Sequence, residues 1–271
     1  MWPTEPWAKT GVEWRRVEEM GFAHAWVYDH TAWRGHTPWY DAYATLAAVA
    51  ATTERIRIGT LVTSPNFRHP VPAAHAIRTI DEISGGRLEI GIGSGGRSHQ
   101  SDGDILGTDW SAKQRADRFA EWVTMLDVLL REPSVSHQGE YWSARDVATG
   151  AGGTQRPRVP FAIAATGPRG LRLAARLGET WIANGDRETV RRQLAGLADA
   201  CAIEGRNVAN RLLMTGFTDE PWLESVDAFQ ELAGRYAELG ITDIALHWPR
   251  PGTQWDADPK VFEAIAATLT G

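Results

Sequence analysis

Cysteine is almost missing from this chain: Cys201 stands alone among 271 residues. A lone cysteine excludes an internal disulfide framework and any cysteine-cluster zinc or iron–sulfur centre. Long apolar runs are also missing. The longest, near Ala44–Ala51, falls well short of the roughly 18 residues that mark a spanning helix. Excess positive charge is absent too. With 28 Lys and Arg against 34 Asp and Glu, the net charge is −6, which argues against a nucleic-acid binder or a basic membrane-surface protein. The eight histidines show no H-x-H or H-x-x-x-H spacing, so no metal site is expected. The opening MWPTEPW lacks the basic-then-apolar run of a secretory signal. A cytoplasmic globular protein is expected, with neither nucleic acid nor membrane as partner.

What is abundant is tryptophan, with 13 residues. Trp33, Trp39, Trp110, Trp142, Trp248 and Trp255 lie beside Gly, Pro or charged residues, the setting of pocket-lining loops. Short apolar runs recur at Ala25–Tyr28, Ile56–Val62, Leu88–Ile92, Phe161–Ala165, Thr180–Ala183, Leu212–Gly216 and Asp243–His247. Most are continuously apolar, as parallel strands buried on both faces are. Helical patterns separate them. Thr10-x-x-Glu13 and Ser111-x-x-Gln114 read as capping boxes, Asp41 and Asp186 as helix openings, and Pro168 as a first-turn proline. A stripe of Val190, Leu194, Leu197 and Cys201 marks one helix. The repeat of about thirty residues is that of a βαβ unit. It predicts one domain over residues 1–271, a TIM-type (β/α)8 barrel. Between its fourth and fifth strands, Gly95–Pro160 reads as an insertion of one helix and a polar stretch.

Only seven of eight strands are visible. The capped helix at Thr10 leaves MWPTEPW for the first strand, and its two prolines cannot donate to a ladder. A shortened or missing first strand is expected, with Trp2 and Trp7 plugging the gap; its loss would expose strand edges that something must cover.

Four segments carry chemistry. Asp29-His30 follows a strand, where barrels keep their catalytic groups. His30 is the candidate acid–base group and Asp29 the residue that orients it; a tied-down loop is the plainer alternative. Gly91-x-Gly93-x-x-Gly96 matches a dinucleotide fingerprint, but no second strand ending in an acid follows it. Its glycines instead suit close approach of a flat ligand. Thr166-Gly167-Pro168-Arg169-Gly170 runs from a strand into a helix whose free N–H groups suit phosphate. Thr60–Thr63 continues a strand into a loop rich in hydroxyls and proline, suited to a bulge against a planar ring.

These segments, with Glu19-Met20-Gly21-Phe22, Phe67-Arg68-His69-Pro70 and Ser84-Gly85-Gly86-Arg87-Leu88, resemble the bacterial-luciferase-like family of flavin- and F420-dependent oxidoreductases. The resemblance runs over nearly the whole chain, and it implies a homodimer, which would cover the exposed strand edges. It implies a barrel that binds F420 or, alternatively, FMN at the strand ends. The ring would lie over Thr60, Leu61 and Thr63, across a non-proline cis peptide placed by match at Thr60–Leu61. The phosphate would lie at Ser94 and Gly95 and at the Thr166–Gly170 turn. The Thr63–Arg68 stretch resembles the F420-using members more closely. It implies hydride transfer with a small organic substrate; an FMN-dependent monooxygenase and a non-catalytic cofactor carrier are the alternatives. Sugar-phosphate dehydrogenases of the F420 branch carry a glutamate where this chain has Gly96, which argues against glucose 6-phosphate.

Overall fold

A computed structural model describes Met1 and residues 3–96, 102–148 and 153–269. The chain runs α1 (Trp7–Glu19), β1 (His24–Val27), α2 (Ala42–Thr52), β2 (Arg57–Thr63), α3 (Pro70–Ser84) and β3 (Leu88–Ile92). It continues through α4 (Asp102–Ile105), α5 (Ala112–Arg131), β4 (Ser134–Gln138), β5 (Ser143–Ala148), β6 (Phe161–Ala164), α6 (Pro168–Leu177) and β7 (Thr180–Asn184). It ends with α7 (Arg187–Glu204), β8 (Asn210–Met214), α8 (Val226–Ala237), β9 (Asp243–Ala245) and α9 (Pro259–Leu269). Each of the seven strands read from the sequence is present. Two compact units result, one of residues 3–18 and 23–162, the other of Met1, 19–22 and 163–269.

In the first unit β1 pairs with β2 and β2 with β3, all parallel. All five residues of β3 are buried; Leu88, Ile90 and Ile92 supply its apolar surface, and the buried Glu89 carboxylate lies near His24 and Arg57. Leu46 and Val49 of α2, Ile77 and Ile80 of α3, and Trp122 and Leu126 of α5 are all buried. The Ser111–Gln114 capping box forms, and Asp41 caps α2. The Thr10 box does not form. Helix α1 starts a turn earlier, where the Pro6 carbonyl accepts from Lys9 and Thr10 N–H, so Thr10 is buried inside the helix. Proline just ahead of a helix presets the backbone and has no N–H to satisfy. Residues 3–5 form turns, and no described strand precedes α1. Trp7 is exposed in the first turn of α1, and Trp2 lies outside the described residues. Between β3 and β6 the sequence also concealed an antiparallel hairpin, β4–β5. The Glu121 carboxylate holds its turn, accepting from the N–H groups of Glu140, Tyr141 and Trp142 at 2.7–3.2 Å.

Two charged residues saturate the turn between α2 and β2. One carboxylate oxygen of Glu18 accepts from the N–H groups of Glu54, Arg55 and Ile56 at 2.9, 2.7 and 3.0 Å. These bonds lower its pKa against the burial that would raise it. The Arg87 guanidinium donates to the carbonyls of Ala50, Thr53 and Ile56, to Thr53 Oγ1 and to Ser84 O, all at 2.8–2.9 Å. In the Ser-Gly-Gly-Arg-Leu motif, Gly85 ends α3 in the left-handed conformation and Arg87 locks the neighbouring turn.

In the second unit β7–β8 and β8–β9 are parallel pairs. Asp186 caps α7. The buried face of that helix is Val190, Gln193, Leu197 and Ala200, one residue round from the expected stripe at Leu194 and Cys201. Among the described residues no helix is long and apolar enough to cross a membrane.

Candidate functional site

The first unit gathers its polar groups beyond the C-terminal ends of β1, β2 and β3. Past β1, Asp29 and His30 are adjacent in the chain but bind different partners. Asp29 turns inward and is 3% exposed. Its Oδ2 accepts from Thr63 Oγ1 and from Arg68 Nη1, both at 2.6 Å. Burial raises its pKa, opposed by the Arg68 charge and both hydrogen bonds. Arg68 also pairs with Asp41 and lies 4.1 Å over the Tyr43 ring. Asp29 thus joins β1 to the end of β2 and the lead into α3. It does not orient His30: its carboxylate is engaged by Thr63 and Arg68, and His30 takes its carboxylate from elsewhere.

The carboxylate on His30 comes from Asp102, the first residue of α4. Asp102 Oδ2 lies 2.6 Å from His30 Nδ1, while its Oδ1 accepts from Thr31 N–H at 2.7 Å. The second bond fixes the carboxylate rotamer, so the pair is held at both ends. Nδ1 donating to the carboxylate makes Nε2 the basic nitrogen, and Nε2 has no hydrogen bond among the described residues. Tyr28 stacks on the His30 ring, and Trp39 and Phe67 meet it edge-on at 5.3 and 6.5 Å. Sequence reasoning missed Asp102 because 72 positions separate it from His30 and four-residue helices carry no periodicity.

Past β2 the strand bulges. Thr60 pairs with Ile90 and Thr63 with Ile92, three residues against two. The non-proline cis peptide is Leu61–Val62, not Thr60–Leu61. Thr60 is still in the ladder, so the irregular peptide falls between the two residues that the register skips. The Thr60 and Thr63 hydroxyls donate to Gly91 O and to Asp29, and Leu61 is buried. A side chain at Gly91 would strike the Thr60 carbonyl, which explains the glycine here. Past β3, Gly93 N–H donates to Thr63 O at 2.8 Å, and Ser94 leads to Gly95 at φ +80°.

In the second unit, β6 runs through Ala165 and Thr166 to Gly167, the N-cap of α6, with Pro168 in its first turn. No side chain caps this helix, and a Cβ on Gly167 would meet nothing within 4 Å. Thr166 through Arg169 are exposed and Gly170 is half-buried. An uncapped helix start open to solvent fits an anionic group. Past β9 lies a histidine that sequence reasoning passed over. His247 stacks on Trp255 at 4.6 Å, and Trp255 Nε1 donates to Gly216 O at 3.1 Å. Burial pushes its pKa down to about 3.

In both units, glycines and polar groups stand at the C-terminal ends of parallel strands, the arrangement of an α/β protein that takes its ligand there. The model of the luciferase-like monooxygenase family matches residues 3–245, and the chain belongs to that family. An F420-dependent glucose-6-phosphate dehydrogenase of Beutenbergia cavernae is 36% identical over 212 residues, 73% of this chain and 60% of the relative. A 5,10-methylenetetrahydromethanopterin reductase of Archaeoglobus fulgidus is 32% identical over 264 residues, 94% of this chain and 73% of the relative. The chain spans between 50% and 60% of the length of three glucose-6-phosphate dehydrogenases it matches. The solved coenzyme F420-dependent tetrahydromethanopterin reductase of Methanopyrus kandleri shares the fold: TM-score 0.78 at 18% identity, with 99% of this chain and 95% of that one covered.

Proposed function

We propose that the chain is an F420-dependent oxidoreductase that passes hydride between the deazaflavin and a small organic substrate. The carrying observation is the His30–Asp102 pair at the end of β1, joined at 2.6 Å. The naming of the B. cavernae relative as F420-dependent supports the choice of cofactor. When bound, the deazaflavin supplies the hydride chemistry. The residues here position it and move protons. The ring would lie against the backbone of Thr60, Leu61 and Thr63; the two threonine hydroxyls are already engaged. Phosphate would lie at Ser94 and Gly95, and the open α6 start at Thr166–Gly170 is a second anion seat. His30 Nε2 accepts or returns the substrate proton, while Asp102 fixes the tautomer that leaves Nε2 basic. We further infer one luciferase-like (β/α)8 barrel domain with the β3–β6 interval as its insertion, working in the cytoplasm as a homodimer.

Titrating F420 and FMN separately into the apoprotein tests the reading. F420 is expected to bind at micromolar or lower concentration and FMN far more weakly. Micromolar FMN binding without F420 binding would overturn it.

A further inference from the structure

Trp110 and Trp142, both in loops, enclose a single cation. The Arg118 guanidinium lies 4.6 Å from one ring and 5.3 Å from the other, and the residue is 8% exposed. Its Nη1 donates to Asn66 Oδ1 at 3.0 Å, and Nη2 reaches the Pro65 carbonyl at 3.5 Å. Arginine has no acceptor, so the amide atom facing it must be oxygen. The Asn66 amide therefore cannot flip, and Nδ2 points the other way. There it lies 2.5 Å from where a Cβ on Gly95 would stand. Ser64 Oγ lies 3.4 Å from the same point and accepts from Asn66 N–H at 3.3 Å. Nδ2 makes no hydrogen bond among the described residues.

We propose that Asn66 is an amide donor for a phosphate oxygen beside Gly95, and that Arg118 is the positioning residue that aims it. The proposal rests on the F420 reading and assigns the phosphate to the cofactor. A guanidinium bonded to Oδ1 draws electron density from the amide and strengthens Nδ2 as a donor. Glycine at position 95 leaves room for the oxyanion where any side chain would meet Nδ2. The two tryptophans hold the cation without neutralising it, since neither carries charge.

The test titrates F420, the phosphate-free deazaflavin core and glucose 6-phosphate into the wild-type protein, Asn66→Ala, Asn66→Asp, Arg118→Met and the Asn66→Ala/Arg118→Met double variant. Thermal unfolding checks that each variant is folded. Loss of one hydrogen bond to a charged group predicts F420 binding weaker by about 10–100-fold in Asn66→Ala. Asn66→Asp, which keeps a partner for Arg118 but repels an anion, should lose at least as much. The core should bind all variants alike, and Arg118→Met should add nothing once Asn66 is gone. Unchanged F420 affinity in both Asn66 variants would overturn the proposal, as would an equal loss for the phosphate-free core. A loss confined to glucose 6-phosphate would move the phosphate to the substrate and overturn the assignment. Wild-type protein that fails to bind F420 overturns the cofactor reading itself.

Discussion

His30 and His247 each stand just past the end of a strand, β1 and β9, among aromatic rings, and they are built for different work. The His30 side chain is 23% exposed, with a carboxylate on one nitrogen and the other open. His247 is 8% exposed and stacked flat on Trp255. Burial, with the positive amino terminus adding to it, keeps His247 neutral; the carboxylate gives His30 a fixed tautomer with Nε2 left as the acceptor. Residue type and strand position are shared. The neighbours differ: a carboxylate on His30 and a stacked tryptophan on His247, and on the proposed reading only the first serves proton transfer.

The sharpest way to break this contrast is to remove each ring. His30→Ala should cut turnover by about 10²–10⁴-fold while F420 affinity holds. Near-normal kcat would return His30 to a loop-fixing role. A smaller effect is expected from Asp102→Asn, about 10–100-fold in kcat with KM little changed, because a mispositioned proton group costs rate more than binding. Equal changes in kcat and KM would mark Asp102 as a support for the pocket wall only.

For His247 the readout is stability. Its pKa is near 3 when folded and about 6.5 when unfolded. Above pH 6.5 it is neutral in both states and adds no pH dependence. Between 6.5 and 3 only the unfolded chain takes the proton, so stability falls as pH falls, by up to about 1.4 kcal/mol per unit. From pH 6.5 to 5.5, denaturant unfolding of the wild type should lose about 1 kcal/mol more than His247→Gln. Parallel slopes would show that His247 titrates normally in the folded protein.

Much of the framework was legible because its signals are local. The apolar runs, the Ser111 and Asp41 caps and the Gly85 stop each act within a few residues. Two local readings failed. Pro6 started α1 before Thr10 could cap it, and the buried face of α7 lies one residue round from the stripe read at Leu194 and Cys201. The site was less legible, because its decisive contacts join distant residues. Asp29 was assigned to His30 by adjacency, but its carboxylate is taken by Thr63 and Arg68, and the carboxylate on His30 is that of Asp102. Asp102 and Arg118 reach His30 and Asn66 across 72 and 52 positions, and no single-sequence pattern records such a pairing. The β4–β5 hairpin escaped notice because four of the five residues of β4 lie outside the buried class, so neither strand carries the apolar run that marked the others.

The turn between α2 and β2 shows how far specification can lie from the segment specified. Its N–H groups are claimed by Glu18 and its carbonyls by Arg87, neither of which belongs to it. The bonds to Glu18 and Arg87 use the backbone of this turn, so its length should matter more than the identity of residues 54 and 55. One inserted residue would displace N–H groups from an anion and carbonyls from a cation at once. Surface loops usually tolerate lengthening well. Here a scan of single-residue insertions should find substitutions at Glu54 and Arg55 tolerated and an insertion between them rejected, a conserved length with an unconserved sequence.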